Sequence, residues 1–220
     1  ISAFNYLIFH QPRRKSTQAV IFAIVRAHSA TPSSTRDLAM FFEPKNGMRP
    51  SPLKHNPFNA LVCPRPIGWV STIGANGNLN LAPFSYFNGV SGDPPCVMFA
   101  PNTSSPNDVK DTYRNIVEVP EFVVNVVSVE LAEQMNATSA AFSYDVDEFG
   151  ACGLESVASQ VVRPPRVKQS RAALECTVYE VVELPVGTDG RKGRVVIGEV
   201  VGIHLDDDLI DGGDGTDSLY

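Results

Sequence analysis

The chain has 220 residues, 43% hydrophobic and 19% charged, enough for one sizeable core and short for two. It has no run of about 18 uncharged apolar residues, so no membrane-spanning helix is predicted and no membrane partner is expected. A net charge of -6 argues against nucleic acid as the main partner.

The charge is unevenly spread. Residues 1–36 contain no Asp or Glu but hold Arg13, Arg14, Lys15, Arg26 and Arg36. Residues 1–40 read as a leader outside the core. It is either an organelle transit peptide or sequence upstream of a start at Met40. The core domain is expected over 41–205, and the acidic, Gly-rich residues 206–220 as a solvated tail. Calcium is the alternative for that tail, but the EF-hand spacing is missing. Cys63, Cys96, Cys152 and Cys176 lie far apart with no CxxC pair, so buried free thiols are expected, in a reducing, cytoplasmic setting unless the leader directs import.

Residues 41–62 read as a lead-in loop. "GWVSTIG" from Gly68 is a strand, and Asn76-Gly77 is a hairpin turn signal. "LNLAPFSYFNGVS" reads as one returning strand, interrupted oddly by Asn80, Pro83, Ser85 and Asn88. Pro83 cannot donate to a ladder and marks an edge or bend. "CVMFA" is a short apolar strand. Ser105 then reads as an N-cap, with Pro106 at the first helical position and Val109, Tyr113, Ile116 and Val117 at helical spacing. "EFVVNVVS" is a strand and "VELAEQMNATSA" a short helix. "ALECTVYEVVEL" and "RVVIGEVVGIHL" are long strands joined by a Gly-rich turn. Strands predominate without alternating with helices, which predicts a mainly β, antiparallel barrel with short added helices.

The chain lacks a Rossmann glycine fingerprint, a Walker loop, a GxSxG elbow and an HExxH pair. No catalytic residue and no metal site is predicted. The small hydrogen-bonding residues Asn102 to Ser105 lead into a helix start, whose free N–H groups and dipole suit a phosphate, with Lys110 one turn on. An ordinary cap and loop is the other reading. The polar interruptions after the hairpin suit a flat heteroaromatic ring. Ring and phosphate together suggest a mononucleotide-sized cofactor.

Taken in order, "PRPIGWVSTIGANGNLNLAPFSYFNGVSGDPPCVMFA", "KDTYRNI", "EFVVNVV", "MNATSA", "DEFGACGLE" and "PPRVKQSRAALEC" strongly resemble the flavin reductase-like family over roughly Pro57 to Leu205. The resemblance implies a six-stranded antiparallel FMN-binding split barrel, FMN held without covalent linkage, and a homodimer with the flavin near the subunit interface. It assigns the flavin ring to Ser71, Thr72, Asn80, Ala82, Pro83, Phe84 and Ser85. The phosphate end falls to Asn102, Lys110, Asp111 and Thr112. Trp69 fits either against the flavin or in the core. Relatives continue past the last long strand with a segment that packs back on the barrel, where this chain has its acidic tail.

The activity so implied is that of an NAD(P)H:flavin oxidoreductase, with NADH or NADPH as a transient donor passing hydride from nicotinamide C4 to flavin N5. The flavin carries the redox chemistry, so the missing acid, base and nucleophile are consistent with it. An FMN-bound electron-transfer protein reduced by a protein partner, or a non-catalytic flavin-binding protein, would look the same in sequence. The basic cluster Arg163, Arg166, Lys168 and Arg171 reads as a nicotinamide-phosphate contact or as a solvated loop.

Overall fold

The computed structural model of the chain describes residues 40–44, 49–103, 105 and 108–210. The chain divides into two units, Ile1–Met40 and Phe41–Tyr220. The expected leader, Met40 apart, and the end of the expected tail lie outside the described residues.

A one-turn helix, α1 (Phe58–Leu61), precedes the strands β1 (Gly68–Ile73), β2 (Leu79–Phe84), β3 (Phe87–Gly92) and β4 (Pro95–Phe99). Helix α2 (Asp111–Glu118), β5 (Glu121–Asn125), α3 (Ala132–Ala137) and α4 (Glu148–Ala151) follow. A two-stranded ribbon, β6 (Ser156–Val157) and β7 (Arg166–Val167), and the long hairpin of β8 (Ala172–Val186) and β9 (Lys192–Leu205) complete the order. The main sheet is antiparallel, with strand order β2-β1-β5-β8-β9-β4-β3.

That sheet has seven strands where six were predicted. The extra one comes from "LNLAPFSYFNGVS", which is two strands broken at Ser85 and Tyr86. This break also explains the curvature. β2 and β3 are the two opposite edges of the sheet, yet only two residues join them. The three Cα–Cα steps from Phe84 to Phe87 span about 11 Å at most, so the edges must come together there. The sheet is rolled into a barrel whose seam carries no β2–β3 ladder, which is a split barrel. Across the seam the rings of Phe84 and Phe99 lie 5.1 Å apart, while the Ala100 N–H extends the β3–β4 ladder to the corner by donating to the Tyr86 carbonyl at 2.9 Å. A Cβ on Gly68 would stand 2.6 Å from the Phe87 ring, so only glycine lets β3 close that approach.

The barrel interior packs Val70, Phe84, Val97, Phe99, Phe122 and Val196 among its buried residues. Phe122 meets Phe99 edge-on at 5.2 Å, in space left open by Gly198. A second core lies on the other face of β1 and β2, where Trp69 and Leu81 meet Leu131, Met135, Phe149, Leu154 and Val167. β1 is therefore buried on both faces, which its apolar and small polar composition permits.

The hairpin turn forms as the Asn76-Gly77 signal predicts, with Gly77 at φ +90° and the Gly74 N–H donating to the Asn78 carbonyl. The helix start does not follow the prediction. α2 begins at Asp111 with Lys110 in the N-cap position, and Ser105 lies in a bend five residues earlier. Pro106 lies outside the described residues. The cysteines divide: Cys176 is buried and burial pushes its thiol up to about 12, but Cys63 is exposed. The start of the acidic tail is held by Asp206, whose N–H donates to the Arg171 carbonyl at 2.8 Å.

Candidate functional site

Where the two edges meet, a cleft of about 550 Å³ opens, a size typical of small-molecule sites. One wall is β2 and the corner, through Asn80, Ala82, Pro83, Phe84, Ser85 and Tyr86. The second is Ala100 and Asn102 beyond β4, with Asp108 to Thr112 and Arg114 around the start of α2. The third is the stretch Thr138–Phe142 with Tyr144 and Glu148.

β2 supplies its wall because it is an edge strand. The Leu81 N–H points away from β1 and donates to Glu148 Oε2 at 3.1 Å. Pro83, two residues on, has the same orientation, where an N–H would find no ladder partner. The proline therefore costs the sheet nothing, which resolves the oddity of the sequence there. Asn80 is 5% exposed and donates through Nδ2 to Thr112 Oγ1 at 2.8 Å, with a longer contact to Thr72 Oγ1 at 3.5 Å. Thr72 Oγ1 also accepts from Asn115 Nδ2 at 3.1 Å, and Tyr144 Oη donates to Asn115 Oδ1 at 3.0 Å. These bonds tie β1, β2, α2 and the third wall into one frame.

At α2 the first intrahelical bonds run from the Tyr113 and Arg114 N–H groups to the Lys110 carbonyl. The N–H groups of Asp111 and Thr112 stay outside that ladder at the positive end of the helix. Arg114 stacks on the Tyr144 ring at 4.3 Å. The cleft thus carries three carboxyl groups, Asp108, Asp111 and Glu148, against two cations, Lys110 and Arg114. Burial raises the carboxyl of Asp111, against the pull of Arg114. Burial also pushes Glu148 up to about 7, with smaller contributions from Asp111 and Asp147, while hydrogen bonds from the Glu148 and Leu81 N–H groups oppose it.

Of the twelve residues assigned to the flavin, the fold brings nine to this cleft: Asn80, Ala82, Pro83, Phe84, Ser85, Asn102, Lys110, Asp111 and Thr112. Thr72 is fully buried and stands one layer behind, holding Asn80. Ser71 and Trp69 do not border it. Strand alternation turns both toward the second core, where Ser71 Oγ donates to the Pro165 carbonyl at 2.6 Å and accepts from Asn125. Of its two predicted places Trp69 takes the core, fully buried, with Nε1 donating to Thr138 Oγ1 at 3.0 Å. The basic cluster does not border the cleft either. Lys168 pairs with Glu155 at 2.6 Å, and Arg171 faces Asp206 and Asp208.

The third wall and Arg114 were missed. "MNATSA" entered only as a helix end and a carrier of the resemblance, with no site role, and "AFSYD" gave no signal; packing over the second core brings the stretch to the cleft. The chemical make-up of the cleft suits a flavin mononucleotide. Phe84, Tyr86, Phe142 and Tyr144 offer aromatic surface, and the edge of β2 offers outward backbone groups to a heterocycle. The α2 start with Lys110 offers N–H groups and a cation to a phosphate.

Residues 60–216 match the flavin reductase like domain. An uncharacterised protein of Aquifex aeolicus is 42% identical over 69% of this chain and 74% of its own length. The 2-nitrobenzoate 2-nitroreductase NbaA of Pseudomonas fluorescens is 31% identical, with a TM-score of 0.61 over 72% of this chain and 75% of that one. Component B of nitrilotriacetate monooxygenase from Bacillus cereus is 28% identical, with a TM-score of 0.66 over 76% and 85%. With its split barrel and the match spanning most of its length, the chain belongs to the flavin reductase like domain family, within the flavin oxidoreductases.

Proposed function

We propose that the protein is an NAD(P)H-dependent flavin reductase that holds FMN in the cleft between β2 and the start of α2. The ring would lie along Asn80 to Ser85 and the phosphate at Asn102 and Lys110 to Thr112. The observation that carries this reading is the convergence of nine of the residues assigned by the resemblance, from β2, the corner, the loop after β4 and α2, on one cleft of suitable size. Bound flavin would supply the redox chemistry, taking hydride at N5 from C4 of NADH or NADPH. The chain's own part is to orient the ring through the Asn80 frame, fix the phosphate at a helix N-terminus, and leave one side of the cleft open to the donor.

The test is the visible spectrum of the FMN-loaded protein without oxygen, before and after NADH and then NADPH. Bleaching by either nucleotide supports the reductase and names its donor. A flavin that binds but stays oxidised with both moves the reading to an electron-transfer protein served by a protein partner, or to a binding protein. Failure to bind FMN overturns it.

The expected homodimer belongs to the same proposal. It is supported by exposed apolar side chains along the long hairpin, among them Tyr179, Val182, Val186, Val201 and Ile203. A patch of this kind suits a subunit contact. Sedimentation equilibrium as a monomer at micromolar concentration would refute it.

A further inference from the structure

Of the three carboxyl groups on the cleft, only that of Glu148 is buried, at 6% exposure. It sits at the start of α4, where Asp147 Oδ1 caps the helix by accepting the Phe149 N–H at 3.0 Å. One of its oxygens is committed, since Oε2 takes the outward N–H of Leu81. The carboxyl also takes the N–H of its own residue, and the side chain borders the cleft.

Such a carboxyl has two states of different use. Ionised, it is a third negative charge in a cleft with two cations, poorly hydrated and close to other acids. Protonated, it leaves the cleft with two carboxylates against two cations and makes this buried, cleft-lining carboxyl an O–H donor. The groups around it favour the second state. Asp147 acts from its own helix and Asp111 from α2, while the Cys152 thiol at the end of α4 is itself pushed up by burial and by Glu148. β2 carries no titratable side chain, and α3 turns Met135 inward and Glu133 out to solvent. The FMN phosphate would bring further negative charge, which disfavours the ionised state again.

We propose that Glu148 is the proton-carrying residue of the cleft, binding a proton as FMN binds and donating that O–H to the ligand. The proton comes from solvent, the carboxylate oxygen gains the O–H bond, and no electron changes hands. This rests on the flavin reading given above and adds a proton as a second ligand of the same site.

The experiment is isothermal titration calorimetry of FMN into the full, flavin-free chain at pH 8, in two buffers of different ionisation enthalpy. For the unaltered protein, uptake of close to one proton per FMN is expected, with affinity falling about fivefold from pH 7 to pH 8. Glu148→Gln keeps an oxygen for the Leu81 N–H and cannot titrate. It should bind FMN with no proton uptake and with the same affinity at both pH values. Binding without proton uptake in the unaltered protein overturns the proposal, and that titration stands without the variant. Equal uptake in Glu148→Gln overturns the assignment to Glu148. Absence of any FMN binding overturns the flavin reading, and this inference with it.

Discussion

Asn80 of β2 and Thr112 of α2 are joined by a 2.8 Å hydrogen bond across the inner end of the cleft, so the strand expected at the flavin ring and the helix expected at its phosphate are fixed to each other. Asn80→Asp combined with Ser85→Ala replaces the amide donor with a charge and removes the corner hydroxyl. FMN affinity should fall by about tenfold or more, the effect of roughly 1.4 kcal/mol of added repulsion and lost hydrogen bonding. The far-ultraviolet dichroism should be unchanged, because Asn80 lies outside both apolar cores. Fluorescence titration with FMN checks the first outcome; unchanged affinity would mean that the ring is held elsewhere.

Glu175 is fully buried on β8, and its carboxylate accepts from the Gln160, Val161 and Val162 N–H groups at 2.7, 2.6 and 3.0 Å and meets His204 Nε2 at 2.5 Å. Burial alone would raise this carboxyl, but those bonds outweigh it and hold it down at about 2. Glu175→Ala strands three backbone donors and should cost about 3 kcal/mol or more in urea unfolding at pH 7. With the folded-state value below the ordinary 4.5, the carboxylate's contribution is whole above pH 4.5 and fades as the pH falls toward 2. The gap between the unaltered protein and Glu175→Gln should therefore narrow between pH 5 and pH 3.

For Glu148 the sign is reversed. Its carboxyl titrates at about 7 in the folded chain against an ordinary 4.5, so the folded state binds the proton more tightly. Its ionisation then erodes stability as the pH rises from 4.5 through 7. Thermal unfolding of the flavin-free protein should show Glu148→Gln gaining on the unaltered protein between pH 5 and pH 8. A constant difference across that range would contradict the raised value.

Gly198 faces Phe122 inside the barrel, and a Cβ there would stand 2.4 Å from the ring. Gly198→Ala should destabilise by about 2 kcal/mol or more, because the ring is wedged against Phe99 and cannot retreat. Adding Phe122→Leu should recover part of the loss, which a double-mutant cycle of urea midpoints would measure.

The strands were legible because their signals are local. "GWVSTIG", the Asn76-Gly77 turn and the two long strands at the end of the chain depend on side-chain type and on one positive φ. The corner at Ser85 and Tyr86 was not, since a strand that switches from one sheet edge to the other keeps β-like composition on both sides of the turn. The start of α2 was misplaced because Ser105 and Pro106 make a local cap signal, whereas the structure begins the helix at Asp111, with Lys110 at the N-cap and no side-chain cap. Asn80, Pro83 and Ser85 stood out as misfits in a strand, and all three line the cleft. Glu148 and the Thr138–Phe142 wall gave no such signal. A glutamate in the first turn of a short helix looks like a surface residue until tertiary packing buries it.

The corner also bears on how the chain folds. β8 and β9 can pair from their own turn outward, with little loop to close, and early formation is expected of such a hairpin. The cleft has no local nucleus. It needs β2, the far end of β4, α2 and the stretch up to Glu148, and these meet only after the sheet has curled far enough for its two edges to touch. No partly folded form containing the hairpin alone possesses the site, so ligand capture in a refolding experiment would time the last step of assembly.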